Sequence, residues 1–386
     1  MIVDLHSHFP IHLAADQPDT LEHLLSGKHA TLGDNLRALI LRLANRLMNY
    51  PGSGTKPAVT VKSLRDSPVK VALSILLAPF DEIDLDQPYG SPPRPEYCSR
   101  LVAQIELVEH EVAKRPDEIT IAHNPAELAA ALGTPRVVLI HAVEGGCHMG
   151  DTEAAVTANV EELAHRGVAC ITVAHLFWRR VATNAPAIPF LSDRVYRLLF
   201  PQPRKGLSDL GRAAIRAMAA NGILIDVTHM STRSINDTLK LLDDLDPGRV
   251  IPLMATHTAC KLNGRRYNIA DRHIKAIAER QGVIGLIACT HHMAKGLKEP
   301  KTFDDSMNVI CRHIDHLRQV TGSHDFTAFG SDQDGFIKPA LPGLETPARF
   351  ADVESALRAR YGVTVADQIC SGNALRVLQH WRGRED

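Results

Sequence analysis

The chain has 386 residues, 45% of them hydrophobic, with 43 Lys+Arg against 44 Asp+Glu and a formal net charge of −1. That length supports a well-buried core, as one large α/β barrel or two ordinary domains. The charge balance excludes an electrostatic case for nucleic acid or an anionic membrane surface.

Twenty histidines stand out, because imidazole is the commonest metal ligand and the usual acid–base group near neutral pH. The seven cysteines are scattered, with no Cys-x-x-Cys pair. That pattern points to buried thiols in a reducing compartment, not to a disulfide framework or a zinc knuckle. No charged and then apolar leader precedes Asp4. Apolar runs such as VALSILLAPF fall short of the roughly 20 residues of a membrane span. The expectation is a cytoplasmic protein with no membrane partner.

In chain order, eight short apolar runs read as strands: MIVDLH, VKVALSILLAP, RVVLIHAVEG, VACITVAHL, GILIDVTH, VIPLMATHT, GVIGLIACT and DFTAFGSDQ. Helix-like stretches separate them, among them RPEYCSRLVAQIELVEHEVAKR, DTEAAVTANVEELAHRG, LSDLGRAAIRAMAANG and FDDSMNVICRHIDHLRQVTG. Several start at Ser, Asp or Asn and end near Gly, as helix caps should. Continuous apolar strands alternating with helices imply parallel strands covered on both faces. Eight such units predict a (β/α)8 TIM barrel, one domain over 1–386, with a helical insertion after strand one at about 10–68. The Pro- and Asp-rich stretch DEIDLDQPYGSPPRPEY after strand two suits a loop over the barrel mouth.

In this fold the C-terminal strand ends carry the chemistry. His6 and His8 end strand one, Glu144 strand three, His175 strand four, His229 strand five, His257 strand six and Asp332 strand eight. Alternation along a strand sends His6 and His8 to one side. A set of nitrogens and carboxylates without thiolate suits zinc or another borderline divalent ion. Five or six ligands exceed one tetrahedral catalytic zinc and divide between two ions sharing a carboxylate. With no lysine at a strand end to serve as a carbamylated bridge, Glu144 is the natural shared ligand. His141 lies an odd number of residues from Glu144 and is expected on the opposite side of its strand, packing against core or helix. His148, His291 and His292 are weaker candidates near the mouth.

The ordered series DLHSH, VEGG, TVAH, GLSDLG, GILIDVTHMS, ATHTACKLNGRRYNIADR, GSDQDG and SGNALRVL resembles the membrane dipeptidase family of zinc peptidases, within the amidohydrolase superfamily. The resemblance implies two Zn2+ ions and hydrolysis of the amide bond of a dipeptide-like substrate by a metal-bridging hydroxide. It implies that His6 and His8 bind one zinc, that Glu144 bridges, and that His229 and His257 hold the second. It further implies that Asp332 shuttles the proton, that His175 donates to the oxyanion, and that Arg266 or Arg265 pairs with the substrate carboxylate.

Three positions depart from the pattern. His8 replaces an aspartate, exchanging an anionic ligand for a neutral one. Tyr267 takes the place of the arginine that directly precedes Asn268. Gln333 replaces an aromatic residue, which bears on packing beneath the site. The first two departures keep open a related hydrolase of another small amide, lactone or cyclic substrate. A non-catalytic binding barrel is a further alternative. A homodimer is compatible with the sequence, since barrel helices bury faces within and between chains alike.

Overall fold

Each β-branched run folds as a strand because both of its faces find apolar cover, which a helix-wrapped parallel sheet supplies. The computed structural model describes residues 1–13, 29–48, 57–188, 191–262, 266–335 and 340–384. Its strands are β1 (Ile2–Ser7), β2 (Val69–Leu76), β3 (Ile119–Ile121), β4 (Val137–Glu144), β5 (Cys170–Thr172), β6 (Leu224–Asp226), β7 (Leu253–Thr258), β8 (Val283–Leu286) and β9 (Thr327–Phe329). The order is β2-β1-β9-β8-β7-β6-β5-β4-β3, and a further β2–β4 pairing closes eight of the nine into a parallel barrel.

Those eight are the strands expected from the sequence. The ninth, β3, was not expected. It pairs through Ile119–Ile121 with Val137–Leu139 at the start of β4, and β5 pairs with Ala142–Glu144 at the end of the same strand. Two apolar layers follow from the alternation. One holds Val71, Leu73, Ile75, Val138, Ile140, Ala142, Leu224, Met254 and Val283, the barrel interior. The other joins Ala72, Leu76, Leu139, Val143 and Ile225 to helix residues such as Leu101, Ile105, Val160 and Ile277.

Helices Glu96–Ala113, Glu153–His165, Asp209–Asn221 and Phe303–Thr321 lie where their patterns place them. Between β1 and β2 run the helices Leu32–Met48 and Val61–Arg65, while 14–28 and 49–56 lie outside the described residues. The C-terminal helix Asn373–Leu378 anchors beneath β8 and β9. There Asn373 donates to the Thr327 carbonyl and Arg376 to that of Gly282, at 2.8 and 3.1 Å. Among the described residues, no helix is long and apolar enough to cross a membrane.

Candidate metal centre

Seven side chains singled out by the sequence meet at the C-terminal mouth: His6, His8, Glu144, His175, His229, His257 and Asp332, all buried. Glu144 is the hub. Its Oε1 lies 3.4 Å from His6 Nε2, 3.2 Å from His229 Nε2 and 3.5 Å from His257 Nε2. Its Oε2 lies 3.6 Å from His8 Nε2 and 3.4 Å from His175 Nε2. Asp332 Oδ1 is 3.0 Å from His8 Nε2 and 3.9 Å from His6 Nε2. The His229 and His257 Nε2 atoms stand 2.9 Å apart.

These separations fit shared ions. Donors around a tetrahedral zinc with bonds near 2.0–2.1 Å lie about 3.3 Å from one another. His6 Nε2 and Glu144 Oε1 have no hydrogen-bond partner despite complete burial. Leaving such groups unsatisfied costs about 1–3 kcal/mol each. His229 and Asp332 also hold left-handed backbone, at φ 62° and 56°, a further cost of about 1–2 kcal/mol per non-glycine residue. A divalent cation held among these atoms would satisfy them and offset such costs. The residues therefore fit a metal centre, and three groups can hold an ion: His6–Glu144–His257, His6–His8–Asp332 and Glu144–His175–His229. His6 belongs to two of them, so the geometry ties it to His257 as well as to His8.

Several of these residues lie beyond the strand ends and not on them. β5, β6 and β9 stop at Thr172, Asp226 and Phe329, three residues before His175, His229 and Asp332. Loops carry these three side chains inward, which is why two of the three use left-handed backbone. β1 and the loop after β9 lace together: Asp332 N–H donates to the His6 carbonyl at 2.9 Å and His8 N–H to that of Gln333 at 3.1 Å. That lacing brings His8 against Asp332. A Cβ on Gly335 would fall 2.1 Å from Asp332 Oδ1, so only glycine admits the carboxylate there. Gln333 is buried and donates to the Leu344 carbonyl at 3.1 Å, a packing role.

The charges balance around one carboxylate. Burial alone would raise the Glu144 carboxyl, but the facing His175 and His6 imidazoles hold it well below its usual range. Burial alone would lower His175, and the Glu144 and Glu82 carboxylates outweigh it and lift the ring to about 9. His6 is raised against its burial by Glu144. Burial and the neighbouring His6 push His257 well down. Such a cluster accommodates some protons or, in their place, metal cations.

Three supporting residues carried no role in the sequence reading. Glu82, on a one-turn helix after β2, accepts from His175 Nδ1 at 2.6 Å and from Phe177 N–H at 2.7 Å. It lies in the acidic mouth loop, which was its one sequence signal. Asp226 accepts the Thr256 hydroxyl, the Thr172 hydroxyl and the Thr228 hydroxyl, each at 2.6 Å. The Thr256 proton is thus committed to Asp226. Its oxygen must accept from His6 Nδ1 at 3.2 Å and His257 Nδ1 at 3.1 Å. Both rings then carry the proton on Nδ1 and leave a bare Nε2 with which each could hold an ion. Thr256→Val is expected to weaken zinc binding about 10- to 100-fold. Zinc competition titration measures this, and unchanged affinity refutes the tautomer assignment.

The two arginines fare differently. Arg266 does not join the cluster; half-exposed, it sets Nε 3.5 Å from Asp193 Oδ2. With Arg197, Arg233 and Lys261 it lines a cavity of about 530 Å3. Arg265 lies outside the described residues. Tyr267 does reach the site. It is buried, donates to the His257 carbonyl at 2.8 Å, stacks on His292 at 3.9 Å and meets His229 edge-on at 5.0 Å. His148 sits by the carbonyls of Gly145 and Ala78, 2.9 and 3.2 Å away.

Among solved structures, a Rhodobacter sphaeroides metallopeptidase liganded with a phosphinate mimic of the dipeptide L-Ala-D-Ala is similar in fold. Its TM-score is 0.68 at 19% identity, over 98% of this chain and 99% of that one. The probable dipeptidase PvdM of Pseudomonas aeruginosa has a TM-score of 0.66 at 17% identity, over 86% and 90% of the two chains. Among curated proteins, an uncharacterised dipeptidase of Schizosaccharomyces pombe is 27% identical over 270 residues, 70% of this chain and 56% of its own length. An uncharacterised Klebsiella pneumoniae protein from the pqqA 5′ region is 32% identical over 183 residues, 47% of this chain and 63% of its own. The matches thus span less than two thirds of these curated relatives. The model of the membrane dipeptidase family, peptidase family M19, matches residues 55–383 and takes in Glu144, His175, His229, His257 and Asp332. The chain therefore belongs to this family of metal-dependent hydrolases.

Proposed function

We propose that the protein is a two-zinc dipeptidase that cleaves the amide bond of a dipeptide-like substrate. One observation carries this reading: a single buried carboxylate, Glu144, divides its two oxygens among five imidazoles. When bound, the two ions supply an activated water and Lewis acidity toward the scissile carbonyl. Asp332, beside His8, takes the proton from the nucleophile and returns it to the leaving amine. His175, held through Nδ1 by Glu82, turns Nε2 into the site and donates to the developing oxyanion. The buried cysteines support placement in the cytoplasm.

The substrate carboxylate has no arginine at position 267. We place its anchor at Arg266, which lines a small pocket together with His229 and Tyr267 and whose guanidinium can bind a carboxylate bidentately on turning from Asp193. The burial of Tyr267 against His229 favours a second reading, a neutral amide, lactone or cyclic substrate. A screen of zinc-loaded protein against dipeptides with either stereoisomer at the second residue, free and C-terminally amidated, separates the two. The dipeptide bound by the Rhodobacter protein as its phosphinate mimic makes L-Ala-D-Ala the natural first substrate. Arg266→Ala is expected to raise KM for the free dipeptide about tenfold, near 1.4 kcal/mol, and leave the amide unchanged. Equal effects on both support the neutral-substrate reading. No hydrolysis of any dipeptide overturns the dipeptidase reading.

A further inference from the structure

Away from the mouth, a second set of ligand-type side chains converges on the helix-facing side of β4. His141 lies on β4, His123 two residues past β3, and Glu109 on the helix Glu96–Ala113. His141 is fully buried, yet neither ring nitrogen has a hydrogen-bond partner. Its Nε2 faces Glu109 Oε1 at 3.9 Å, and His123 Nε2 approaches the same oxygen at 3.4 Å. The three ligand atoms lie within 4.8 Å of one another.

The proton on His123 can be placed. Its Nδ1 lies 3.1 Å from Glu127 Oε2, and the same oxygen accepts the His123 backbone N–H at 2.9 Å. Both neighbouring carboxylates only accept, and the shorter contact, 3.1 Å to Glu127 against 3.4 Å to Glu109, favours a neutral ring with its proton on Nδ1 and a bare Nε2 toward Glu109. A carboxylate behind an imidazole is the arrangement that orients a metal-bound histidine. An imidazolium at His123 bridging Glu109 and Glu127 would explain that ring alone; it leaves both nitrogens of His141 without a partner. Burial, and then His123, push His141 down to about 3, so it stays neutral and ready to ligate.

We infer that His141, His123 and Glu109 form a separate binding site for a divalent cation of the zinc class. Two imidazoles and one carboxylate are a zinc-type donor set that leaves a fourth position for water. The 3.4 Å separation is already near the roughly 3.3 Å edge of a zinc tetrahedron. The Glu109 side chain is 42% exposed and free to close the remaining few tenths of an ångström toward His141. Arg166, the nearby cation, is engaged by Glu162 at 2.6 Å and Glu106 at 3.5 Å. Ser74, the register partner of His141 on β2, adds a buried hydroxyl without a partner beside the site.

An ion here pins the helix Glu96–Ala113 to the β3–β4 edge. It lies about 10 Å along the strand from Glu144 and on its other face, so it stiffens the strand that carries the hub carboxylate. The inference does not rest on the dipeptidase reading.

Equilibrium dialysis of the full chain against buffered free zinc, followed by elemental analysis, tests it. Glu109→Gln and His141→Leu are each expected to hold one zinc fewer than wild type and to lose part of the zinc-induced rise in Tm. Their turnover should stay within about twofold of wild type, since neither residue touches the mouth. Equal zinc content in wild type and Glu109→Gln overturns the site. Should His141→Leu fail to fold, Glu109→Gln alone decides, because it changes a partly exposed surface carboxylate.

Discussion

Glu144→Ala is expected to lose two equivalents of zinc relative to wild type and to reduce kcat/KM by at least about 10^4. The magnitude follows from what the metals would do: they would supply both nucleophile and Lewis acid, and among the described residues Glu144 is the carboxylate that faces all five imidazoles. Glu144 is the one anion whose two oxygens face His6, His229 and His257 on one side and His8 and His175 on the other. Without it, five imidazoles confront one another with only Asp332 near His8 and Glu82 behind His175. Such a set attracts cations far less, because neutral imidazoles leave the charge of two divalent ions uncompensated. With the metals stripped from both proteins, His175 should also fall from about 9 toward ordinary values in the variant, since Glu144 is the first carboxylate holding it up against burial. Elemental analysis and an NMR titration of His175 measure the two effects. Retention of both ions by the alanine variant would falsify the shared-carboxylate assignment.

Asp332→Asn should keep the metals and lower kcat about 10^2- to 10^4-fold, the span of a lost general acid–base group. The variant is clean on backbone grounds. Asp332 sits at φ 56°, a conformation asparagine tolerates as well as aspartate. The Asp332 N–H still donates to the His6 carbonyl, and the side chain keeps the space that Gly335 leaves for it. What asparagine cannot do is accept and return a proton. A kcat near wild type removes Asp332 from the proton path. Loss of zinc together with activity reassigns it as a ligand, a role its 3.0 Å approach to His8 also permits.

The barrel and its candidate metal ligands were legible for a local reason. A parallel strand buried on both faces writes an apolar run, and a histidine or carboxylate at the end of that run has no packing purpose there. His6, Glu144 and His257 were found this way and lie on their strands. His175, His229 and Asp332 were found by the same rule, although each stands three residues beyond its ladder. The run continues past the last ladder bond because the following loop is also buried. β3 went unread because three residues, Ile119–Ile121, give too short a period to separate from a loop.

Residue order alone specifies the eight-unit barrel, seven of the side chains at its mouth and their nitrogen–carboxylate chemistry. Those follow from residue type and spacing along the chain. It takes the folded chain to bring Glu82 to His175 across 93 positions, and to let Asp226 and Thr256 set the proton positions on His6 and His257. Folding alone turned Arg266 outward to Asp193, pressed Tyr267 against His229, and left His141 facing Glu109. Each of these is a contact between elements distant in sequence, made through loops whose direction no periodicity encodes. A strand's pattern says which face a residue takes; closing the barrel says what that face meets.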